Sequence, residues 1–274
     1  SKTIEKLAPK AYLINFSNPS GLVAEAVLNN TSARMIGLCN GPINLINEVK
    51  SLLSCNQCNF DFDFVGLNHL CWITAVYING KNMLDKYFDE KLELEGLKNI
   101  GESKYEPCLL KATRAIPISY LNYYYFRDET VRQAKAACKC RGEICKELES
   151  DLLELYKNPE LKEIPAILSK RGGAYYSESA VSLIDAIEND KNSICIVDVK
   201  NNGAYGFMDK NDVVEVKCIV NKSGVSPIKL ESFNNHYIIG LIQSVKAYEK
   251  LAAKAALEGS YDAALAALMI HPLV

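Results

Sequence analysis

The chain has 274 residues, 49 % of them apolar, which is enough to bury a core of one large or two smaller domains. Its 31 basic residues against 33 acidic ones leave a near-neutral surface and argue against nucleic acid or another polyanion as partner. No run is apolar and long enough to span a bilayer, and the N-terminal stretch has no signal-peptide pattern, so the expected setting is the cytoplasm, away from the membrane, with the ten cysteines reduced.

In chain order, residues 1–10 read as the end of a helix. Ala11 to Phe16 is an apolar run closed by Ser17-Asn18-Pro19-Ser20-Gly21, which predicts a buried parallel strand. A helix over Leu22–Asn29, a strand over Arg34–Leu38 and a helix over Ile43–Leu53 follow. This rhythm is that of a doubly wound sheet. No Gly-x-Gly-x-x-Gly stands at the start, so the expectation is that a phosphate-binding turn precedes residue 1. From Phe60 the pattern changes. Strands are predicted over Asp61–Gly66 and Cys71–Ile78, a turn at Asn79-Gly80, a helix over Lys81–Leu92 and a loop from Glu93 to Glu106. Ser119–Phe126, dense in tyrosine, predicts a helix leading into a charged one through Tyr156, interrupted at Cys140-Arg141-Gly142. After the turn Arg171-Gly172-Gly173 comes a helix to Asp190. Strands over Ser193–Lys200 and Asp212–Asn221 follow, then Ala-rich helix from Phe233 to the end.

Two strand ends carry chemistry. Ile36-Gly37-Leu38-Cys39-Asn40-Gly41-Pro42 offers a thiol beside an amide, and Val65-Gly66-Leu67-Asn68-His69-Leu70 an amide beside an imidazole. A thiolate and a neutral imidazole suit a divalent transition metal. Taken alone, each also reads as core: Cys as a small hydrophobe, His as a hydrogen-bonded histidine. Cys55-x-x-Cys58 and the group Cys138, Cys140, Cys145 lack the regular paired spacing of a zinc site, and free thiols are the simpler reading.

Five motifs occur in order: Asn15-x-x-Asn18-Pro19, Cys39-Asn40, Gly66-x-Asn68-His69, Tyr120-Leu121-x-Tyr123-Tyr124 and Arg171-Gly172-Gly173-Ala174-Tyr175-Tyr176-Ser177. Together they resemble glycoside hydrolase family 4, the NAD- and manganese-dependent 6-phospho-glycosidases, from Ala11 to the final Ile270-His271-Pro272-Leu273. The resemblance implies an α/β fold: the remnant of a doubly wound sheet, Rossmann-like as in lactate/malate dehydrogenases, followed by an α+β substrate domain. It places residues 1–56 at the C-terminal part of the NAD-binding domain, and 57–274 in the substrate-binding, catalytic and oligomerisation domain. On this reading the chain is a piece that lacks the family's N-terminal segment and is inactive alone.

The activity implied is hydrolysis of 6-phospho-β-glucosides or phosphorylated disaccharides. NAD takes a hydride from sugar C3, which acidifies the C2 proton. A tyrosine removes that proton, the aglycone leaves C1, and water adds before NADH restores C3. This departs from the two-carboxylate mechanism of most glycosidases. By residue match, Cys39 and His69 hold the divalent metal, and Tyr120 is the base, with Tyr123 as the other candidate. Asn18 and Asn40 contact substrate. Asn15 and Asn18 face the cofactor, and Arg141 or Arg171 anchors the sugar phosphate by bidentate hydrogen bonding. Asn40 stands at a catalytic position where α-specific members carry Asp. An amide cannot donate as a general acid, which favours the β-specific branch. A homo-oligomer, dimer or tetramer, is implied as well. The alternatives are a 6-phospho-α-glucosidase, a lactate/malate-type dehydrogenase and a non-catalytic assembly domain.

Overall fold

The computed structural model describes residues 1–53, 58–88, 92–97, 100, 102–173 and 175–274. A short helix α1 (Lys2–Leu7) leads to strand β1 (Tyr12–Asn15), helix α2 (Ser20–Asn30) and strand β2 (Arg34–Gly37). β1 and β2 pair in parallel, as the strand–helix–strand pattern predicts. β1 ends the described sheet and is half-buried, whereas β2 is buried along Met35–Gly37. Helix α3 (Gly41–Leu52) starts with Pro42 in its first turn, where a missing N–H leaves no bond unmade.

Strands β3 (Phe60–Leu67) and β4 (Leu70–Ile78) form an antiparallel hairpin closed by Asn68 and His69. The helix expected over Lys81–Leu92 is not formed among the described residues of that range, 81–88 and 92. The Asn79-Gly80 turn, both residues at positive φ, sends the chain straight back, so β5 (Lys81–Asn82) pairs with β4 and only a 3-10 turn, Leu84–Tyr87, follows. The stretch predicted as loop contains β6 (Leu92–Leu94) and β7 (Ser103–Tyr105), an antiparallel pair whose Leu92, Leu94 and Tyr105 are buried. Helix α4 (Pro107–Thr113) and strand β8 (Ile116–Pro117), paired with β4, bring the chain to a 3-10 turn at Ser119–Leu121.

The tyrosine-rich helix is one turn, α5 (Asn122–Tyr125). The charged helix predicted through Tyr156 is two, α6 (Arg127–Ala136) and α7 (Arg141–Tyr156). One break falls at Phe126, φ −126° and ψ 40°. The other spans 137–140, where the Cys140 N–H donates to the Glu143 carboxylate at 2.7 Å and starts α7 afresh. Beyond lie α8 (Leu168–Arg171), α9 (Tyr176–Glu188), β9 (Ser193–Lys200), β10 (Val213–Asn221) and β11 (Gly224–Pro227). The Ala-rich end is two helices, α10 (His236–Glu258) and α11 (Tyr261–Ile270). They meet at Gly259, and the Ser260 hydroxyl caps α11 by accepting the Ala263 N–H at 3.2 Å.

The main sheet has the order β1-β2-β9-β10-β11, and only β1 and β2 are parallel in it. It therefore draws two strands from before residue 56 and three from after. Residues 54–57, where the division of the chain was expected, lie outside the described residues. The core between this sheet and the β3–β4 hairpin is filled by Trp72, Ile73, Tyr105, Tyr205 and Ile238, each at most 1 % exposed. Each large apolar side chain buried there contributes roughly 1.5–3 kcal/mol. The cysteines differ from the sequence reading in one respect. Cys58 is disulfide-bonded, while Cys39, Cys71, Cys108, Cys138, Cys140, Cys145, Cys195 and Cys218 are free. Cys55 lies outside the described residues. Among those residues, no helix is long and apolar enough to cross a membrane.

Candidate active site

Cys39 and Asn40 occupy the corner between β2 and α3, both buried. The Gly41 N–H donates to Cys39 Sγ at 3.4 Å. Burial pushes the Cys39 thiol well up, the Glu215 and Asp198 carboxyls add to that, and the Gly41 N–H and the Asn68 amide oppose it. Left to the protein alone, this sulfur keeps its proton.

The β3–β4 hairpin presents His69. Its closure depends on Gly66, because a Cβ there would lie 2.4 Å from both Leu70 O and Cys71 Cβ. His69 itself adopts φ 67°, the left-handed turn conformation. Its imidazole stacks on the Tyr120 ring with centroids 3.7 Å apart and planes 13° apart. Burial lowers the His69 pKa to about 4, so the ring is neutral at physiological pH. His69 Nε2 is buried without a hydrogen-bond partner.

Tyr120 enters from the 3-10 turn behind β8, which the Ile118 N–H fixes to Cys71 O at 3.0 Å. Gly41 is the seam between the groups. A Cβ on it would sit 3.5 Å from Cys39 Sγ, 3.9 Å from Tyr120 Cε2 and only 2.8 Å from Ile118 Cδ1. Cys39, Asn68, His69 and Tyr120 thus form one cluster. Asn68, His69, Tyr120, Tyr123, Tyr124 and Glu249 line a crevice of about 250 Å³. Tyr123 and Tyr124 stand at its rim, 41 % and 36 % exposed.

The donor set suits a divalent metal. It offers a thiol and a neutral imidazole, with one buried nitrogen unused by the protein. Among the described residues no three His, Cys, Asp or Glu side chains gather as a metal site.

The remaining candidates are placed as follows. Asn15 spends its amide on its own turn, donating to Ser17 O at 3.0 Å and accepting the Ser17 N–H at 3.3 Å. Asn18 precedes Pro19 across a cis peptide bond and hydrogen-bonds the Tyr176 phenol. Tyr176 also meets Phe16 edge to face at 4.9 Å. Burial and the nearby Cys39 raise its pKa, and Asn18 opposes them. Arg141 Nη2 donates to Lys170 O at 3.0 Å and Arg171 O at 2.9 Å, tying the start of α7 to the end of α8. Arg171 is exposed, and neither arginine lines the crevice.

Sequence reasoning passed over two groups behind the cluster. Glu215 and Asp198 sit opposite each other in the β10–β9 register, 1 % and 0 % exposed. A lone acid in each of the apolar runs Val213-Val214-Glu215-Val216 and Ile196-Val197-Asp198-Val199 was the available signal. Asn68 Nδ2 donates to Glu215 Oε1 at 3.3 Å.

Comparison with known proteins agrees with this architecture. Residues 64–274 match the family 4 glycosyl hydrolase C-terminal domain, and residues 1–55 match family 4 glycosyl hydrolase. All of the chain aligns at 37 % identity with a probable 6-phospho-beta-glucosidase of Bacillus subtilis, covering 63 % of that protein. It aligns at 28 % identity with a phospho-alpha-glucosidase of Clostridium acetobutylicum, covering 65 % of it. The 6-phospho-beta-glucosidase of Thermotoga maritima, solved with manganese, NAD+ and glucose-6-phosphate, superposes with a TM-score of 0.87 at 33 % identity, over 99 % of this chain and 64 % of that one. The chain therefore spans a little under two thirds of these relatives, with the dehydrogenase-like α/β fold they share, and it belongs to the family 4 glycosyl hydrolases.

Proposed function

We propose that this chain carries the metal- and sugar-binding side of a 6-phospho-β-glucosidase that uses NAD and a divalent metal, manganese as in the Thermotoga relative. The observation that supports it most is the clustering of buried Cys39 with His69 and Tyr120, the latter two lining one crevice, with His69 Nε2 lacking a protein partner. The β-specific reading is supported by 37 % identity to the Bacillus 6-phospho-beta-glucosidase against 28 % to the phospho-alpha-glucosidase, and by an amide at Asn40.

Cys39 and His69 would hold the metal. When bound, the metal would supply Lewis acidity at the sugar oxygens, and NAD would supply a hydride acceptor for C3. Tyr120 takes the C2 proton at its phenol oxygen. A neighbouring cation favours the phenolate this needs. Asn40, buried beside Cys39, and Asn18 orient the sugar, with Asn15 and Asn18 toward the cofactor. Arg141 and Arg171 are the candidates for the sugar phosphate, Arg171 being the freer of the two to move. A homo-oligomer, dimer or tetramer, fits the apolar side chains that α11 exposes, Tyr261 and Met269 at 78 % each. A cytoplasmic location fits the eight cysteines that are free among the described residues.

The test is calorimetric titration of glucose 6-phosphate into the protein with and without Mn²⁺. Binding that requires Mn²⁺ and disappears in Cys39→Ser is expected. Binding indifferent to Mn²⁺, or none at millimolar sugar, would overturn the proposal.

A further inference from the structure

We propose that Glu215 is a positioning residue that holds the His69 hairpin at two points. The first is its side chain. Glu215 Oε1 accepts from Asn68 Nδ2 at 3.3 Å, inside the turn itself. The second is its backbone. Tyr205 Oη donates to Glu215 O at 2.7 Å and accepts the Gly66 N–H at 3.2 Å, one residue before β3 ends. A phenol has a single proton to give. With Phe64 O at 3.5 Å, the Glu215 carbonyl is the better recipient.

The second point is itself anchored. The Tyr205 N–H donates to Asn201 Oδ1 at 2.7 Å, and Asn201 Nδ2 donates back to Tyr205 O at 3.0 Å. Asn201, Tyr205 and Glu215 are all at most 1 % exposed, so water does not compete for these bonds. The strand that carries Glu215 is held in register by its pairing with β9, where Asp198 stands opposite Glu215.

Why His69 needs such support follows from its own contacts. Its Nε2 has no hydrogen bond, and its ring rests on Tyr120. The place of the imidazole relative to Cys39 is therefore decided by the turn that carries it. Groups that orient a ligand without touching the metal typically change its affinity by about 10–100-fold when removed. That consequence rests on the metal-site reading above; the positioning of the hairpin does not.

Two measurements test the proposal on purified protein, with wild type as reference. Amide hydrogen exchange in Tyr205→Phe should accelerate at Gly66 by at least about tenfold, while Leu38, whose N–H donates to Asn15 O at 2.9 Å, stays unchanged. Mn²⁺ affinity should fall by at least about tenfold in Glu215→Leu and stay near wild type in Glu215→Gln, which keeps an oxygen for Asn68. A role in folding alone would lower the melting temperature without this rescue pattern. If Glu215→Leu does not fold, Asn68→Ala, which removes the same bond and also the Asn68 contact to Cys39, should show at least the same loss. Unchanged exchange at Gly66, or wild-type Mn²⁺ affinity in the folded Glu215→Leu or Asn68→Ala protein, overturns the proposal. If the wild type itself takes no Mn²⁺, the metal site is what fails, and exchange at Gly66 alone decides whether the hairpin is held as described.

Discussion

The His69 imidazole lies face to face on the Tyr120 ring, 3.7 Å between centroids and 13° between planes. The stack links the proposed metal ligand to the proposed base, and it needs only the aromatic ring. Tyr120→Phe should therefore keep the stack and the Mn²⁺ affinity, while turnover of a 6-phospho-β-glucoside by the enzyme carrying this chain falls by about 10²–10⁴. Tyr120→Ala should lose both. Exchange of the sugar C2 proton with solvent, followed by NMR, is the deciding readout. If exchange persists in Tyr120→Phe and vanishes in Tyr123→Phe, the base is Tyr123.

A thiol that burial holds protonated must lose its proton to bind a metal, so the metal and H⁺ compete for Cys39. Mn²⁺ affinity should rise with pH across the neutral range. Cys39→Ser should weaken it by at least about tenfold, because a hydroxyl is harder to ionise than a thiol. Cys108→Ser, on the exposed side of α4, should leave it unchanged. An affinity flat with pH and equal in Cys39→Ser would remove the thiolate from the site.

The sequence located the two strand ends because each is an apolar run closed by a polar turn, and Cys39 and His69 stand at those turns. It could not show that Gly41 is the seam joining Cys39 to Tyr120, since that contact spans some 80 residues of chain. Helical periodicity over Lys81–Leu92 was overridden by the Asn79-Gly80 turn, which hands the next two residues to β4 as an edge strand. Arg141 had the side chain a phosphate wants, but its Nη2 is engaged by two carbonyls at the end of α8, a tertiary fact that no local pattern carries. Acids at 198 and 215 were visible as interruptions of apolar runs. Their pairing depends on the register of β9 on β10, which the intervening Asn201-anchored loop fixes.

That pair gives the stability a pH dependence of definite sign. Burial raises both carboxyls, Asp198 from 3.8 to about 7. The folded chain then binds more protons than the unfolded one between about pH 4 and 7. Stability accordingly falls as pH rises through that window, where the contribution of Asp198 is lost. His69 acts in the opposite sense. Its pKa is lowered to about 4, so its contribution is lost as pH falls from 6.5 toward 4. Asp198→Asn should raise the melting temperature at pH 8 more than at pH 5. Thermal melts across this range check it, and an equal shift at both pH values would mean that Asp198 is not protonated in the fold.

Lys246 is the buried cation that ties α10 to α2. It is 3 % exposed, its ammonium donates to Glu25 Oε2 at 2.9 Å and to Glu249 Oε2, and both acids are 4 % exposed. Burial works against its charge, yet Glu249 and Glu25 outweigh it and raise its pKa, so it stays protonated. Glu25 is further fixed by the Val213 N–H at 2.8 Å and by Asn29 Nδ2 at 2.8 Å, which extends the tie to β10. Lys246→Met fills the same volume but leaves two carboxylates buried without a cation, which costs roughly 3–5 kcal/mol. Adding Glu249→Leu should recover part of that, because it removes one of the stranded charges. The cost should also shrink as pH falls, because burial raises the Glu249 carboxyl and so favours its protonated form. Urea denaturation of the single and double variants at pH 5 and pH 8 measures all three effects. A loss below about 1 kcal/mol at pH 8 would show that apolar packing between α10 and α2, rather than this ion cluster, holds the crevice wall that Leu241, Val245 and Glu249 form.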